Sequence, residues 1–238
     1  VSDKPFTFKQ FKVQQDQCAM KIGTDAVLLG AWVSLKNNPF AALDIGSGTG
    51  ILGLILAQRS QAELIDAIEI DTNAYEQCVT NFENSPWADR LFCYHASLEE
   101  FVNEIDDQYN LIISNPPFYS ENYKTENSKR DLARFVDALP FKHLVEGVSK
   151  LLSDDGIFSV VLPFKEEAYF ISLASEVKLI PNRILHVKGS PSSEIKRSLI
   201  EFSFHKSDIK TEELIIETQR HKYTEAYINL VKDFYLKM

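Results

Sequence analysis

From residue 41 onward the chain alternates short apolar runs of β-type composition with stretches of helical periodicity. Ala41 to Ile45 is followed by Ile51 to Arg59, Leu64 to Ile70 by Thr72 to Asn84, and Leu91 to Tyr94 by Leu98 to Ile105. Leu111 to Ser114 then precedes Pro140 to Leu152, and Ile157 to Leu162 precedes Glu166 to Ser175. Such alternation predicts a doubly wound α/β fold, a mainly parallel sheet with helices on both faces. The last two runs break the pattern. Leu179 to Val187 leads through Gly189-Ser190-Pro191-Ser192-Ser193 into Ile195 to Phe204 with no helix between them, so this pair is expected to be an antiparallel hairpin closing a seven-stranded sheet.

Two further segments flank this core. The N-terminal stretch around Phe6, Phe8, Phe11 and Val13 is rich in β-formers, and Thr24 to Leu35 is apolar on nearly every side, which predicts a buried helix. Near the other end Tyr223, Ala226, Tyr227, Leu230, Val231, Phe234 and Tyr235 recur at three- and four-residue spacing, as one helical face that docks on the core. The 238 residues, 45% of them hydrophobic, suit one domain, with residues 1–36 as an N-terminal extension and helix and 37–238 as the core. No apolar run approaches the roughly 20 residues that span a bilayer, and the N-terminal residues carry no signal-like stretch, so a cytoplasmic protein is expected. Cys18, Cys78 and Cys93 lack the spacing of a metal site or disulfide framework, and no metal is expected.

Asp44-Ile45-Gly46-Ser47-Gly48-Thr49-Gly50 joins an apolar strand to an apolar helix. Glycines there permit a tight turn and close approach of backbone to a ligand at the carboxyl edge of the sheet. Glu69, at the end of the next strand, is placed to accept hydrogen bonds from ribose hydroxyls. The spacing G-x-G-x-G differs from the dinucleotide fingerprint G-x-G-x-x-G. A carboxylate at Asp44 would repel a pyrophosphate and suits the ammonium and sulfonium of S-adenosylmethionine, which becomes S-adenosylhomocysteine after transfer. Ile68 and Ile70 could sandwich its adenine ring, while Asp71 serves equally well as a helix cap or as a ligand contact.

After the fourth strand comes Asn115-Pro116-Pro117-Phe118. An aromatic amine is a poor nucleophile because its lone pair is delocalised into the ring. The Asn115 side-chain oxygen and the Pro116 carbonyl can hold its two hydrogens, the prolines fix the backbone, and Phe118 can stack on a base. The net charge of -9 argues against holding nucleic acid by diffuse attraction. Local basic clusters stand against that background: Lys4, Lys9, Lys12 and Lys21; Lys124, Lys129, Arg130 and Arg134; and Arg183, Lys188, Lys196 and Arg197. The polar stretch Tyr119 to Arg134 has the composition of a flap beside the site.

The tetrapeptide together with the glycine loop resembles the amino-methylating class I methyltransferases, which act on adenine, guanine or glutamine amides. More narrowly, the chain resembles the bacterial tRNA1(Val) adenine-N6 methyltransferases. That likeness rests on Phe11-Lys12-Val13, Met20-Lys21-Ile22-Gly23-Thr24-Asp25, Asp44 to Gly50, Ile113 to Phe118, and Tyr223-Thr224-Glu225-Ala226-Tyr227 with Phe234-Tyr235. The resemblance implies a Rossmann-like class I methyltransferase fold. It also implies a donor pocket lined by Lys21, Gly23, Thr24, Asp44, Gly46, Gly48, Gly50, Glu69, Ile70, Ser97 and Asn115, and a target site at Asn115, Pro116, Pro117 and Phe118. The implied substrate is the adenine immediately 3′ of the anticodon of valine tRNA, with no obligate protein partner and no membrane. Phe118 stands where that family more often has tyrosine, and Ser97 where many class I enzymes place an acid. Alternatives on the same motifs are methylation of ribosomal RNA or of a protein glutamine, and a donor-binding scaffold without activity.

Overall fold

A computed structural model describes residues 4–117 and 139–238. Its centre is an eight-stranded sheet. In chain order the described elements are β1 (Phe6–Thr7), β2 (Lys12–Val13), α1 (Thr24–Trp32), β3 (Ala41–Ile45), α2 (Ile51–Arg59), β4 (Leu64–Glu69), α3 (Thr72–Glu83), β5 (Leu91–His95), α4 (Leu98–Glu104) and β6 (Tyr109–Ser114). They continue with α5 (Phe141–Leu151), β7 (Leu152–Pro163), a 3-10 turn (Phe164–Glu166), α6 (Glu167–Glu176), β8 (Ile180–Lys188), β9 (Ile195–Ser203), β10 (Lys210–Ile215), β11 (Glu217–Gln219), β12 (Lys222–Tyr223) and α7 (Glu225–Val231).

The strand order is β10-β8-β9-β7-β6-β3-β4-β5. β5, β4, β3, β6 and β7 are mutually parallel, while β9 runs antiparallel to both β7 and β8. The parallel sheet closed by an antiparallel hairpin is thus present, with one strand more than the seven expected. The eighth, β10, lies parallel to β8 on the edge. Four of its six residues are exposed and only Leu214 is buried, which is why Lys210-Thr211-Glu212-Glu213 carries no apolar signature. Charged residues on an edge strand also discourage further pairing.

Successive strand residues point to opposite faces and feed two cores. Ala42, Ile65, Ala67, Leu111, Ile113 and Val161 pack with α1, α2 and α7, whereas Leu43, Ile68, Ile112, Val160 and Leu162 pack with α4, α5 and α6. Helix α1 has no polar face because seven of its nine residues are buried.

The C-terminal helix is shorter than its periodicity suggests. The Thr224 hydroxyl caps it by accepting from Tyr227 N, so Tyr223 falls outside, in β12. Beyond Val231 the chain turns: Phe234 is buried, and Tyr235 bridges to Phe8 and stacks on its ring. The apolar repeat is satisfied there by the N-terminal hairpin rather than by continued helix. Lys9 ties the two ends together through backbone N–H to Phe234 O and through its ammonium to the Lys232 and Met238 carbonyls.

Candidate donor and target site

β3 lies between β4 and β6, with Ile45 level with both Ile68 and Ser114. The segments that leave these three strands therefore emerge side by side on one edge of the sheet: the glycine loop, Glu69-Ile70-Asp71, and Asn115-Pro116-Pro117. Gly46 N and Ser47 N donate to Ile68 O, drawing the loop toward β4, and the Ser114 hydroxyl donates to Ile45 O, fixing the start of the Asn115 segment.

Gly46, Gly48 and Gly50 all adopt positive φ (73°, 54° and 77°), where any other residue is strained. At Gly50 a Cβ would also lie 2.6 Å from the Phe82 ring, so the loop can descend onto α3 only without a side chain. At Gly46 and Gly48 a Cβ would meet nothing within 4 Å among the described residues, so these two line open space into which a ligand can reach.

The Glu69 carboxylate accepts from Gly48 N at 2.7 Å through one oxygen, and from Ile70 N and Asp71 N at 2.9 Å through the other. It is fixed before any ligand arrives, with lone pairs left for hydroxyl donors. Asp71 is the N-cap of α3, its Oδ1 accepting from Ala74 N at 2.8 Å. Ile70 is 53% exposed beside this edge, whereas Ile68 is 2% exposed within the core under α4 to α6. An isoleucine sandwich is therefore excluded, and Ile70 alone offers an apolar face. Its carbonyl accepts from His95 Nε2 at 3.0 Å, and His95 stacks on Tyr75. This pairing of the end of β5 with α3 was not legible in the sequence, where neither residue stands in a motif.

Asp44 is wholly buried, and Gly53 N at the start of α2 donates to its Oδ2 at 3.3 Å. Its other oxygen has no partner among the described residues. Burial pushes its carboxyl up to about 7, with the nearby Glu69 charge adding to the rise. The carboxylate ties the end of β3 to the first turn of α2 across the glycine loop.

Asn115 Oδ1 is likewise enclosed and has no hydrogen-bond partner among the described residues. Buried polar atoms are rarely left so. Pro116 is buried and Pro117 half-buried, so the segment is held rigidly. Phe118 and the whole stretch from Tyr119 to Arg134 lie outside the described residues.

Ser97 is the N-cap of α4 in a reciprocal capping box: its hydroxyl accepts from Glu100 N and donates to Glu100 Oε2, which also accepts from Ser97 N. Lys21, Gly23 and Thr24 are exposed, with Gly23 as the N-cap of α1. Among the basic candidates, Lys188 is paired with Glu213 at 2.8 Å and Arg197 with Asp25 at 2.7 Å, while Lys196 is exposed. Arg183 packs over the Trp32 ring and against Glu201, a role in holding α1. Lys9, engaged by the C-terminal carbonyls, lines a cavity of about 430 Å³ with Gln58 and Arg59, at the end of α2 remote from the glycine loop.

Among the described residues no helix is long and apolar enough to cross a membrane. Known proteins sharing this arrangement agree on its class. The methyltransferase small domain family matches residues 22–162. The fold is similar to that of Atu636 of Agrobacterium tumefaciens, a predicted O-methyltransferase, with a TM-score of 0.70 and 19% identity over 88% of this chain and 96% of that one. It is also similar to a ribosomal protein L11 methylase from Lactobacillus delbrueckii subsp. bulgaricus, with a TM-score of 0.57 and 13% identity over 80% and 83% of the two chains. Sequence likeness is far closer to the tRNA1(Val) (adenine(37)-N6)-methyltransferase of Flavobacterium psychrophilum, 60% identical over 98% of this chain and all of that protein. The protein of the same name from Bacteroides fragilis is 44% identical over 98% of each chain. The glycine loop, the Asn-Pro-Pro segment and this full-length identity together make the chain a member of the tRNA1(Val) (adenine(37)-N6)-methyltransferase family.

Proposed function

We propose that this chain methylates the exocyclic amino nitrogen of an adenine in RNA, with S-adenosylmethionine as donor, and that the substrate is position 37 of tRNA1(Val), as the names of its relatives state for them. The observation that carries the reading is the enclosed Asn115 Oδ1, without a hydrogen-bond partner among the described residues, beside the open face of the glycine loop.

The residues present fit the donor. Gly46 and Gly48 face open space, Glu69 is fixed with free lone pairs for the ribose, Ile70 gives an apolar face for the adenine, and the buried Asp44 charge favours a cationic ligand. Lys21, Gly23, Thr24 and Gly50 complete its surroundings, with Ser97 at the rim of β5 and α4. When bound, the donor supplies a methyl group on a sulfonium, open to in-line displacement.

The chain's own part is to bind, orient and exclude. Asn115 Oδ1 accepts one hydrogen of the target amine and the Pro116 carbonyl the other, turning the nitrogen lone pair toward the methyl carbon. Phe118 stacks on the base and limits its tilt. Once methylated, the amine is acidic and loses its proton to water, so no strong general base is needed and catalysis is mainly positional. An anticodon loop presents an adenine at low unstacking cost, whereas one inside a duplex is inaccessible to this chemistry.

The test compares methyl incorporation from labelled S-adenosylmethionine into intact tRNA1(Val), its isolated anticodon stem-loop, and a variant with guanine at position 37. Labelling of the intact tRNA that is lost with guanine is expected. Equal labelling of the guanine variant, or labelling of protein and no tRNA, refutes the assignment.

A further inference from the structure

Two buried amides on α3 reach away from the sheet and take hold of the N-terminal segment. Asn81, 2% exposed, uses its whole carboxamide: Oδ1 accepts from Gln14 N at 2.8 Å, and Nδ2 donates at 2.9 Å to both Gln14 O and Thr49 O. Thr49 lies within the glycine loop, between Gly48 and Gly50. One side chain thus pairs with the main chain of residue 14 as a neighbouring strand would, and holds the loop at the same time. One turn earlier, Gln77, 1% exposed, accepts from Gln17 N at 2.8 Å.

The segment beyond is anchored as well. Ile22 N donates to Gln15 Oε1, and Asp25, at the start of α1, is paired with Arg197 on β9. Between these anchors Cys18 lies close enough to Glu69, Asp71 and Asp16 that their charges, after burial, push its thiol up to about 12. The chain from Gln14 to Asp25 is therefore a strap laid past the acidic end of the cleft. It carries Lys21 and the N-cap Gly23 into Thr24, the first residue of α1.

We propose that Gln77 and Asn81 are positioning residues for the methyl donor: they hold the strap against the glycine loop and so deliver Lys21, Gly23 and Thr24 to the donor site. The inference rests on the reading of that site given above. Neither amide touches the ligand. Their effect is entropic, since a strap released from α3 must be reordered each time the donor binds. The two amides stand one turn apart on a face otherwise built from Ala74, Cys78 and Phe82, where the Asn81 carboxamide is engaged at both ends and Gln77 through its Oε1.

The test uses S-adenosylhomocysteine binding by calorimetry on the full chain, with Gln77→Met and Asn81→Ser, together with amide hydrogen exchange. Gln77→Met keeps volume and apolar packing and deletes one acceptor, so the fold is retained. Donor affinity is expected to fall about tenfold, and about a hundredfold in Asn81→Ser, from the loss of one hydrogen bond and of several. Exchange at residues 14–22 should accelerate in both variants while amides of β3 and β4 keep their protection. A general loss of structure would expose the sheet as well. Affinity within twofold of the parent in Gln77→Met, or unchanged exchange across the strap, overturns the proposal. If the unaltered protein binds no S-adenosylhomocysteine, the donor site itself is misassigned and this inference falls with it.

Discussion

Replacing Asp44 by Asn removes a charge that the fold holds out of water while keeping its shape and its acceptor for Gly53 N. Asp44 has an ordinary pKa of 3.8 when unfolded and one pushed up to about 7 by burial in the native state. Between those values the native state keeps a proton that the unfolded state has already lost. Stability therefore falls as pH rises through this window, and levels off above it. At about 1.4 kcal/mol per unit, burying this group subtracts on the order of 4 kcal/mol at pH 8, where it is ionised in the native state, and about 2 kcal/mol at pH 5, where folding must take up a proton that the unfolded state has lost. The amide does not titrate, and whatever its Nδ2 costs for want of a partner is the same at every pH. Urea denaturation of parent and Asp44→Asn at pH 5, 6.5 and 8 should show the variant gaining about 2 kcal/mol relative to the parent between the extremes. On the proposed role of this charge toward the donor's ammonium, ligand affinity of the parent should rise by up to about tenfold per pH unit from 5 to 7, and the variant should lack that part of the rise. Parallel stability profiles for the two proteins would refute the buried charge, and equal ligand affinity at pH 8 would refute its part in binding.

Asn115→Ala should abolish methyl transfer in single-turnover assays while leaving S-adenosylhomocysteine affinity within about twofold in calorimetry, because the proposed role of its acceptor is toward the target amine and not the donor. Ser97→Ala breaks the capping box of α4 and should cost about 1 kcal/mol in urea denaturation, with full stability showing that the cap is dispensable. Reversing the charge of Lys129 and Arg130, or of exposed Lys196, should weaken tRNA binding and flatten its dependence on salt. An unchanged slope would leave these residues as solvated charges.

Every element with a strong apolar period was legible along the chain, because a strand buried on both faces and a helix enclosed all round have no other composition open to them. Ala41–Ile45, Ile51–Arg59 and Leu111–Ser114 are of this kind, and the glycine spacing and Asn-Pro-Pro were legible because they are contiguous. The sequence by itself also separated the closing hairpin, since Gly189 to Ser193 leaves no room for a crossover. What it could not supply was anything that depends on which strangers meet. β10 is mostly charged and becomes a strand only because β8 presents a free edge. The C-terminal repeat ends early because Phe8 receives Tyr235 from across the molecule. Ile68 and Ile70 look alike on paper and would share a face of a continuous strand, and only the end of β4 at Glu69 leaves one in the core and the other exposed at the sheet edge. Asn81 and Gln14, 67 residues apart, show no periodicity or motif, and their pairing exists only once α3 lies across the glycine loop. Local chemistry fixes itself through neighbours in sequence, whereas an amide's partner or a carboxylate's burial is fixed by distant segments brought together, so only the tertiary structure could decide those.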